Sequence, residues 1–532
     1  MGTRASATLL TLLSALAAGT AQADPVWSSY AGNAQHTANS SVASQSLQEI
    51  AWSTPVDLHP QYTGTSLLIH YGSPTVTEAN TILIPVKTGE SGGFRVEARS
   101  GLDGSSMWSY DSDFILPSAS WTPSYAPAIT AGGRIYMPGA GGSLFYRDNI
   151  DSSTFVAPTR VTFYGDANYN ANTSAYNSSI KVCTPLTTDS DGNVYFGYRT
   201  EASNPLGITS GIARIGADGS MNYIQATTAT GGAANRIVMN CAPAVSNDGK
   251  TVYVAMSDTN SRGYMVALNS STLATTAQLA LKDPKTGQDA ILPEVGSASP
   301  TVAPDGKVFF GVLESPFASS KGWMLQMDGG LKGSTGAPGA FGWDDTATII
   351  PASAVSSYHG SSAYLLMTKY NNYAGLGGDG INKLAIVDPN DTQVDPRTGQ
   401  TVMKEVITIA GITPDEEYVD SHPGAVREWC INTAVYDPAT HSVLANSEDG
   451  RLYRWDLNTN TFTESITLTQ GIGEAYTPTF IGADGKVYAI NNATLFAVGN
   501  ITVSAPEPGA LCLFALGGTG LLAIIRRRRH AA

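Results

Sequence analysis

Several glycine- and proline-rich segments of this 532-residue chain combine aromatic rings with carboxylates, amides and arginine. Such rings stack on the C–H faces of sugars, while amides and carboxylates exchange hydrogen bonds with hydroxyl groups. Carbohydrate is therefore the first candidate ligand. The candidate ligand-binding residues are Trp121, Tyr125, Tyr169, Tyr176, Arg236, Glu294, His422, Arg427, Glu428, Trp429 and Tyr476. The alternative is that these rings pack the loops or plug a channel, because half-buried Trp and Tyr are ordinary packing residues.

Catalytic groups are harder to find in the sequence. An acidic stretch of Asp415, Glu416, Glu417 and Asp420 precedes Glu428, but glycoside hydrolysis needs two carboxyl groups that face each other across the bond. The stretch has no identifiable partner and is predicted to be solvated. No histidine accompanies a recognisable nucleophile motif. The sequence favours a binding or structural module over an enzyme, with a polysaccharide-cleaving enzyme as an alternative.

Metal and cofactor sites have no motif to support them. The chain has no C-x-x-C, no haem-attachment C-x-x-C-H and no H-E-x-x-H. Residues 189–193 place oxygen donors at alternate positions, as part of a calcium loop would, but the distal glutamate is missing. Because Asp-Gly recurs at the same position in other copies of a repeated pattern, a tight hairpin turn is the preferred interpretation. No metal or other cofactor is predicted.

One repeated pattern must position the candidate residues. A small residue, Pro, apolar residues, a turn and a β-rich run recur, and the prolines at 74, 127, 185, 243 and 300 are 53, 58, 58 and 57 residues apart. Strand-turn-strand repeats of this length indicate propeller blades. We predict an all-β propeller over residues 24–504, with eight blades favoured over seven. A strand within residues 47–56 is predicted to complete the last blade and close the ring.

Individual motifs link the repeats to a known family. Residues 98–108 read A-x-S-x-x-x-G-x-x-x-W, close to a tryptophan docking motif, and residues 27–33 and 50–52 look like an N-terminal family segment. At these positions the chain resembles the quinoprotein-like propellers, also called PQQ-repeat proteins. That family includes quinone-dependent dehydrogenases, so such an enzyme is a further alternative. The family's adjacent cysteine pair is missing here, and quinone or calcium binding is not expected.

Four cysteines are present, and three lie in the propeller region. Cys183 and Cys241 precede equivalent motif positions of neighbouring blades, whose inner strands converge near the axis. They are candidates for a disulfide, because the Cα atoms could approach to about 4.4–6.8 Å. The alternative is that all three cysteines, including Cys430, are buried and reduced.

Both chain ends carry processing signals. Arg4, the apolar residues 7–18 and a small-residue site ending at Ala23 predict a signal peptide over residues 1–23. Signal peptidase would then leave Asp24 as the first residue. Removing both ends takes away five arginines and one glutamate, so the body has 25 Lys+Arg against 43 Asp+Glu and a net charge of about −18. This charge argues against nucleic acid as a partner.

The C-terminal end has three parts: Pro506-Glu507-Pro508, an uncharged stretch over 509–525, and Arg526, Arg527, Arg528 and Arg529. The stretch is long enough for one transmembrane helix, and the arginines would hold its end in the cytoplasm. Residues 505–532 resemble the PEP-CTERM sorting signal, which implies an exosortase-type protease as a partner. The resemblance implies a protein that is anchored transiently in the inner membrane and then reaches the cell surface or extracellular matrix. Such systems accompany extracellular polysaccharide, a possible partner.

Overall fold

Short β-rich runs, separated by turns, form eight small antiparallel sheets in this protein. The computed structural model describes residues 25–501, apart from 65, 68–69, 119–122 and 472–474. Each sheet begins with a short inner strand and runs outward strand by strand, as in a propeller blade. The predicted all-β propeller is confirmed, with eight blades rather than seven.

The first four blades lie between residues 75 and 280. Blade 1 contains β4 (Thr75–Val76), β5 (Thr81–Lys87), β6 (Phe94–Ser100) and β7 (Ser106–Ser112). Blade 2 contains β8 (Ala128–Ile129), β9 (Ile135–Pro138), β10 (Ser143–Arg147) and β11 (Thr159–Thr162). Blade 3 contains β12 (Ile180–Val182), β13 (Thr187–Thr188), β14 (Val194–Thr200), β15 (Gly211–Ile215) and β16 (Met221–Gln225). Blade 4 contains β17 (Arg236–Ile237), β18 (Ala244–Val245), β19 (Thr251–Ser257), β20 (Gly263–Asn269) and β21 (Thr275–Ala280).

The other four blades complete the ring. Blade 5 contains β22 (Thr301–Val302), β23 (Val308–Val312) and β24 (Trp323–Met327). Blade 6 contains β25 (Thr348–Pro351), β26 (Tyr364–Tyr370), β27 (Lys383–Val394) and β28 (Thr401–Ala410). Blade 7 contains β29 (Val435–Asp437), β30 (Ser442–Asn446), β31 (Arg451–Asp456) and β32 (Thr461–Thr467). Blade 8 contains β33 (Phe480–Ile481), β34 (Val487–Asn491), β35 (Thr494–Val498) and, as its outer strand, β1 (Ile50–Pro55).

The remaining elements are small and lie between the blades. A hairpin of β2 (Tyr62–Thr63) and β3 (Ser66–Leu67) precedes blade 1. The helices are α1 (Asp166–Ala171), α2 (Thr173–Ser179) and α3 (Ala226–Ala229), with 3₁₀ turns at Tyr30–Gly32, Ala140–Gly142, Ala352–Ala354 and Ala374–Leu376. Within the described residues, no helix has the length and apolar character needed to cross a bilayer. The predicted signal peptide, 1–23, and the predicted tail, 505–532, lie outside the described part of the chain.

The ring closes as the sequence predicts, because β1 pairs antiparallel with β35. This pairing joins the start of the body to its end and removes two open sheet edges. Trp52 of β1 also reaches blade 1, where its indole N–H donates to the Gly101 carbonyl at 3.1 Å. A Cβ on Gly104 would lie 2.7 Å from the Trp52 ring, so glycine is required at this position of the docking motif.

The recurring Asp-Gly pairs at 191–192, 248–249, 305–306 and 484–485 form the tight turns between a short inner strand and the next strand of the blade, as predicted. Gly192 and Gly249 have φ angles of +81° and +71°, a backbone region that favours glycine. In the calcium-like segment, the Asp189 carboxylate accepts hydrogen bonds from the Asn193 backbone and side chain and from the Tyr195 hydroxyl. Its oxygens therefore stabilise the turn.

The hydrophobic cores lie between neighbouring blades, and this arrangement keeps the cysteines apart. Cys183 packs with Tyr195 and Val254 between blades 3 and 4, whereas Cys241 packs with Phe310 between blades 4 and 5. Both cysteines are buried thiols, and Cys430 is buried as well. The candidate disulfide does not form, because equivalent positions direct the two side chains into successive cores. Burial raises the pKa of both Cys183 and Cys241 above the usual thiol range.

Residues 27–40, called here the channel segment, close one end of the central channel. The segment bonds to the inner strands of six blades through residues at equivalent positions. Backbone N–H groups of Val76, Ile129, Val245, Val302, Ile349 and Tyr436 donate to carbonyls of Trp27, Ser28, Ala34, Gln35, Thr37 and Ala38, respectively. The bonds are 2.7–3.1 Å long. The segment thus satisfies axial N–H groups that the blades themselves leave unpaired.

Candidate functional site

The long connections between blades converge on the face opposite the channel segment, called here the loop face. Most of the aromatic rings proposed for ligand stacking are buried beneath this face. Tyr125 is 1% exposed and packs against Phe94 and Phe114, with ring centroids 5.1 and 5.3 Å away. Tyr125 is a core residue and does not present a ring to a ligand. Trp121 lies outside the described residues.

Two further candidate rings belong to the helical connection that leads into blade 3. Tyr176, on α2, is 1% exposed and stacks on Tyr164 at a centroid distance of 4.5 Å. Tyr169, on α1, is 4% exposed and lies beneath the Arg160 guanidinium, which is 4.9 Å from its ring centroid. The helices fold both rings inward, as the packing alternative describes.

Trp429 is buried as well, although it ends the long connection between blades 6 and 7. Its side chain is 1% exposed, with its ring centroid 5.5 Å from that of Tyr453 and 5.9 Å from that of Phe462. Asn371 holds the Trp429 backbone by accepting its N–H at 3.1 Å and donating to its carbonyl at 3.2 Å. The ring of Trp429 therefore packs beneath the connection, in agreement with the packing alternative.

Arg236 and Glu294 are brought together, with a partner that the sequence did not reveal. The Glu294 carboxylate forms ion pairs with both Arg236 and Arg199. Arg199 also pairs with Glu201 at 3.5 Å. These side chains are 18–29% exposed, so the cluster is reachable from solvent. Its charges are largely balanced, which makes it a structural link between blades 3 and 4 rather than a strong ion site.

The connection over residues 411–434 carries the remaining candidates. His422 is half-buried, and its Nδ1 lies 2.9 Å from the Ser421 hydroxyl. Arg427 forms an ion pair with Asp415 at 3.8 Å, so the acidic stretch is partly neutralised. The two strands that precede this connection, β27 and β28, are long, with 12 and 10 residues.

A buried charged group lies beside this connection. Lys369 Nζ is 2.8 Å from the Asp344 carboxylate, and the two side chains are 1% and 6% exposed. Burial alone would lower the pKa of Lys369, but Asp344 outweighs burial and raises it. Burial raises the pKa of the adjacent Asp345 well above its usual range, although Lys369 acts in the opposite direction. The cluster is therefore a buried ion pair, with a second carboxyl group of raised pKa next to it.

Tyr476 belongs to the same group. Its ring centroid is 5.0 Å from Lys369 Nζ and 4.2 Å from the centroid of the His70 ring. Burial, followed by the charge of Asp344, raises the pKa of Tyr476 well above its usual value. Tyr476 thus lies beside the charged groups Lys369 and Asp344.

Glu428, Cys430 and Glu448 bring three potential metal-ligand atoms within 4.8 Å of one another. Glu428 donates its backbone N–H to Glu448 at 3.0 Å, and the Cys430 thiol donates to the same carboxylate at 3.2 Å. Burial, and then the negative charge of Glu448, raises the pKa of Glu428 to about 8. Two carboxylates and a thiol could hold a divalent cation, but the positive charge of Lys369 acts on Glu428 and disfavours one.

The axis beneath these groups is filled by protein. Tyr30 of the channel segment is 6% exposed, and its hydroxyl interacts with Asn432 and lies 2.9 Å from Thr346 Oγ1. The cavity left at this point, lined by Tyr30, Asn240 and Ser297, has a volume of about 20 Å³. A cavity of this size holds about one water molecule. Asn240 has no hydrogen-bond partner for its amide within the described residues, which suits such a water.

Sequence reasoning missed Lys369, Asp344, Asp345, Glu448 and Tyr30. A signal was present for Lys369, because it interrupts the apolar strand β26, and a lysine rarely enters a core without a partner. Its partner Asp344 lies in a connection 25 residues earlier, and Glu448 lies in a turn of blade 7 that meets the connection of Glu428. No local pattern in the sequence indicates that these connections meet.

Comparison with known proteins supports the architecture. No family model matches the chain, and no curated protein has significant sequence similarity. A europium-containing methanol dehydrogenase aligns with a TM-score of 0.51 and 11% identity, covering 87% of this chain and 90% of that one. The quinohemoprotein alcohol dehydrogenase ADHIIG from Pseudomonas putida HK5 aligns with a TM-score of 0.50 and 12% identity, covering 91% and 82%.

BamB from Moraxella catarrhalis aligns with a TM-score of 0.44 and 12% identity, covering 86% of this chain and 99% of that one. At these identities the likeness to the two dehydrogenases concerns the fold and not the reaction. The chain is therefore an eight-bladed β-propeller, similar in fold to quinone-dependent dehydrogenases.

Proposed function

We propose that this chain is an exported bacterial surface or matrix protein whose propeller serves as a binding or structural module for extracellular polysaccharide. Export and sorting rest on the sequence patterns at the two ends. The binding role rests on the closed channel. The channel segment, including Tyr30, occupies the axis and leaves a cavity of about 20 Å³ beside Tyr30. A propeller with a filled axis offers its outer surfaces to partners.

A quinone cofactor does not fit the described channel mouth. A quinone requires a pocket in the range of about 300–1,000 Å³ that ligand sites usually have, whereas the cavity beside Tyr30 has a volume of about 20 Å³. The sequence also lacks the adjacent cysteine pair of the resembling dehydrogenases. No step of the proposed function therefore passes through a quinone.

Export is tested in cells that make extracellular polysaccharide. Replacing Pro506, Glu507 and Pro508 with alanine should retain the full-length chain in the inner membrane, whereas the wild-type chain should reach the surface with a reduced mass. Fractionation and intact-mass measurement distinguish the two. If the variant reached the surface with an unchanged mass, the sorting proposal would be wrong.

Binding is tested by co-sedimentation of the purified full chain with the isolated polysaccharide. We expect saturable binding without new reducing ends. Failure to co-sediment at any concentration would refute the binding role, and shortening of the polysaccharide would support an enzyme.

The enzyme alternative has one observation in its favour. Glu428 has a pKa of about 8 and could exchange a proton near neutral pH, as a general acid does. If polysaccharide is cleaved, Glu428→Gln should abolish cleavage while leaving co-sedimentation unchanged. Cleavage that survives this substitution would exclude Glu428 as the acid.

A further inference from the structure

A second cavity lies on the face opposite the loop face, beside the channel segment. It has a volume of about 790 Å³, within the range of ordinary small-molecule sites. The channel segment forms one wall, and the turns between first and second strands of blades 1, 2, 3, 4 and 8 form the other. None of the described candidate residues of the loop face lines it.

The cavity exists because the channel segment passes over blade 3 without pairing to its inner strand. The segment accepts from Ile129 of blade 2 through Ser28, and next from Val245 of blade 4 through Ala34. Between these points it makes the 3₁₀ turn Tyr30–Gly32, whose tyrosine fills the axis. Thr188, at the end of β13 in blade 3, therefore lines the cavity.

The lining favours a ligand that donates hydrogen bonds. Gln35 donates its amide hydrogens to the carbonyls of Val245 and Ser246, which leaves its oxygen as an acceptor. Asn247 likewise donates to the carbonyls of Ala303 and Pro304. No lysine, arginine or aromatic residue is among the described lining residues. An anion would therefore find no counter-charge in the cavity.

Asn39 supplies the sharpest indication of a missing partner. Its Oδ1 is shielded from solvent and has no hydrogen-bond partner within the described part of the chain, and Asn39 lines the cavity. A buried acceptor without a donor costs about 1–3 kcal/mol. Because Oδ1 has no accessible surface, a ligand hydroxyl removes that cost only when the Asn39 side chain turns this oxygen into the cavity.

We propose that this cavity binds a short segment of a neutral, hydroxyl-rich saccharide. The inference rests on the proposed function and assigns its binding site. Hydroxyl groups can donate to the amide oxygens of Gln35, Asn39 and Asn247. Among the described residues, two carboxylates line the cavity. Asp189 accepts a hydrogen bond within its own turn, whereas Glu78 is exposed. Three neutral acceptors against one exposed carboxylate favour a neutral saccharide over a cation.

The test measures binding of four probes by calorimetry: cellotriose and maltotriose as neutral saccharides, spermidine as a cation and trigalacturonate as an anion. The full chain is used, in a detergent without a sugar headgroup. We expect saturable binding of at least one neutral trisaccharide, and loss of that binding in Ser190→Trp, whose ring would fill the cavity. Ser271→Trp is the matched control, because Ser271 is an exposed turn residue that does not line the cavity.

Two further variants separate the chemistry from the shape. Asn39→Leu should weaken neutral saccharide binding about tenfold while leaving the unfolding midpoint unchanged or higher, because it removes an unpaired buried acceptor. Glu78→Gln should change that binding by less than about twofold. Spermidine binding that disappears in Glu78→Gln, without any neutral saccharide binding, would overturn the proposal in favour of a cation site.

The outcomes also distinguish this inference from the proposed function. If Ser190→Trp co-sediments with polysaccharide as the wild type does, the cavity assignment is wrong while the binding module stands. If the wild type neither binds a trisaccharide nor co-sediments, both fail.

Discussion

Replacing Trp429 with alanine should reduce stability and not binding. The ring is 1% exposed and packs between Tyr453 and Phe462. Burying about 200 Å² of aromatic surface at about 25 cal/mol per Å² contributes about 5 kcal/mol, close to the 3–5 kcal/mol known for Trp→Ala in cores. The indole N–H has no hydrogen-bond partner within the described residues, so the loss is one of packing.

The assay for Trp429→Ala is guanidinium unfolding followed by far-ultraviolet circular dichroism, whose signal depends little on one tryptophan. Trp429→Phe keeps most of the ring contact and should lose less than half as much stability. Ile412→Ala, at an exposed residue of the same connection, should change stability by less than about 0.5 kcal/mol. If Trp429→Ala unfolds at the wild-type midpoint but no longer co-sediments with polysaccharide, the packing argument is refuted.

Three other perturbations test the interior. Burial lowers the pKa of His36 to about 4 from 6.5, so the unfolded chain takes up a proton first and stability should fall by up to about 3 kcal/mol as pH drops from 6.5 to 4. His36→Asn, which tolerates the φ of +59° at this position, should remove that part of the pH dependence, and an unchanged profile would contradict the assignment. Lys369→Met should cost about 3–5 kcal/mol in denaturant unfolding because it leaves Asp344 buried without its cation, whereas a neutral effect would mean that water reaches the site. Alkylation of unreduced, denatured protein should label Cys183, Cys241 and Cys430, and a mass showing two fewer labels would reveal a disulfide.

Much of the architecture follows from local sequence. The spacing of the motif prolines and the Asp-Gly turns predicts the blades, because each blade is a short-range unit whose hairpins are set by turn residues. Closure of the ring by the strand at 50–55 also follows from the sequence. The last blade lacks an outer strand, and this strand is the one not assigned to another blade.

The candidate sites depended on tertiary structure. Tyr125, Tyr176 and Trp429 stand in loop-like sequence, and nothing local separates an aromatic ring that points outward from one that packs under a connection. Local sequence likewise does not show that Cys183 and Cys241 are kept apart. They occupy equivalent positions in neighbouring blades, and these positions place them in successive hydrophobic cores.

The sequence by itself therefore determined the repeat, the turns and the closing strand, because these depend on residues near one another in the chain. Only the tertiary structure decided that residues 27–40 close the channel by bonding to six blades. It also decided that Lys369 meets Asp344 and that Glu428 meets Glu448. These contacts join segments that are separated in sequence, so only the geometry of the closed propeller brings them together.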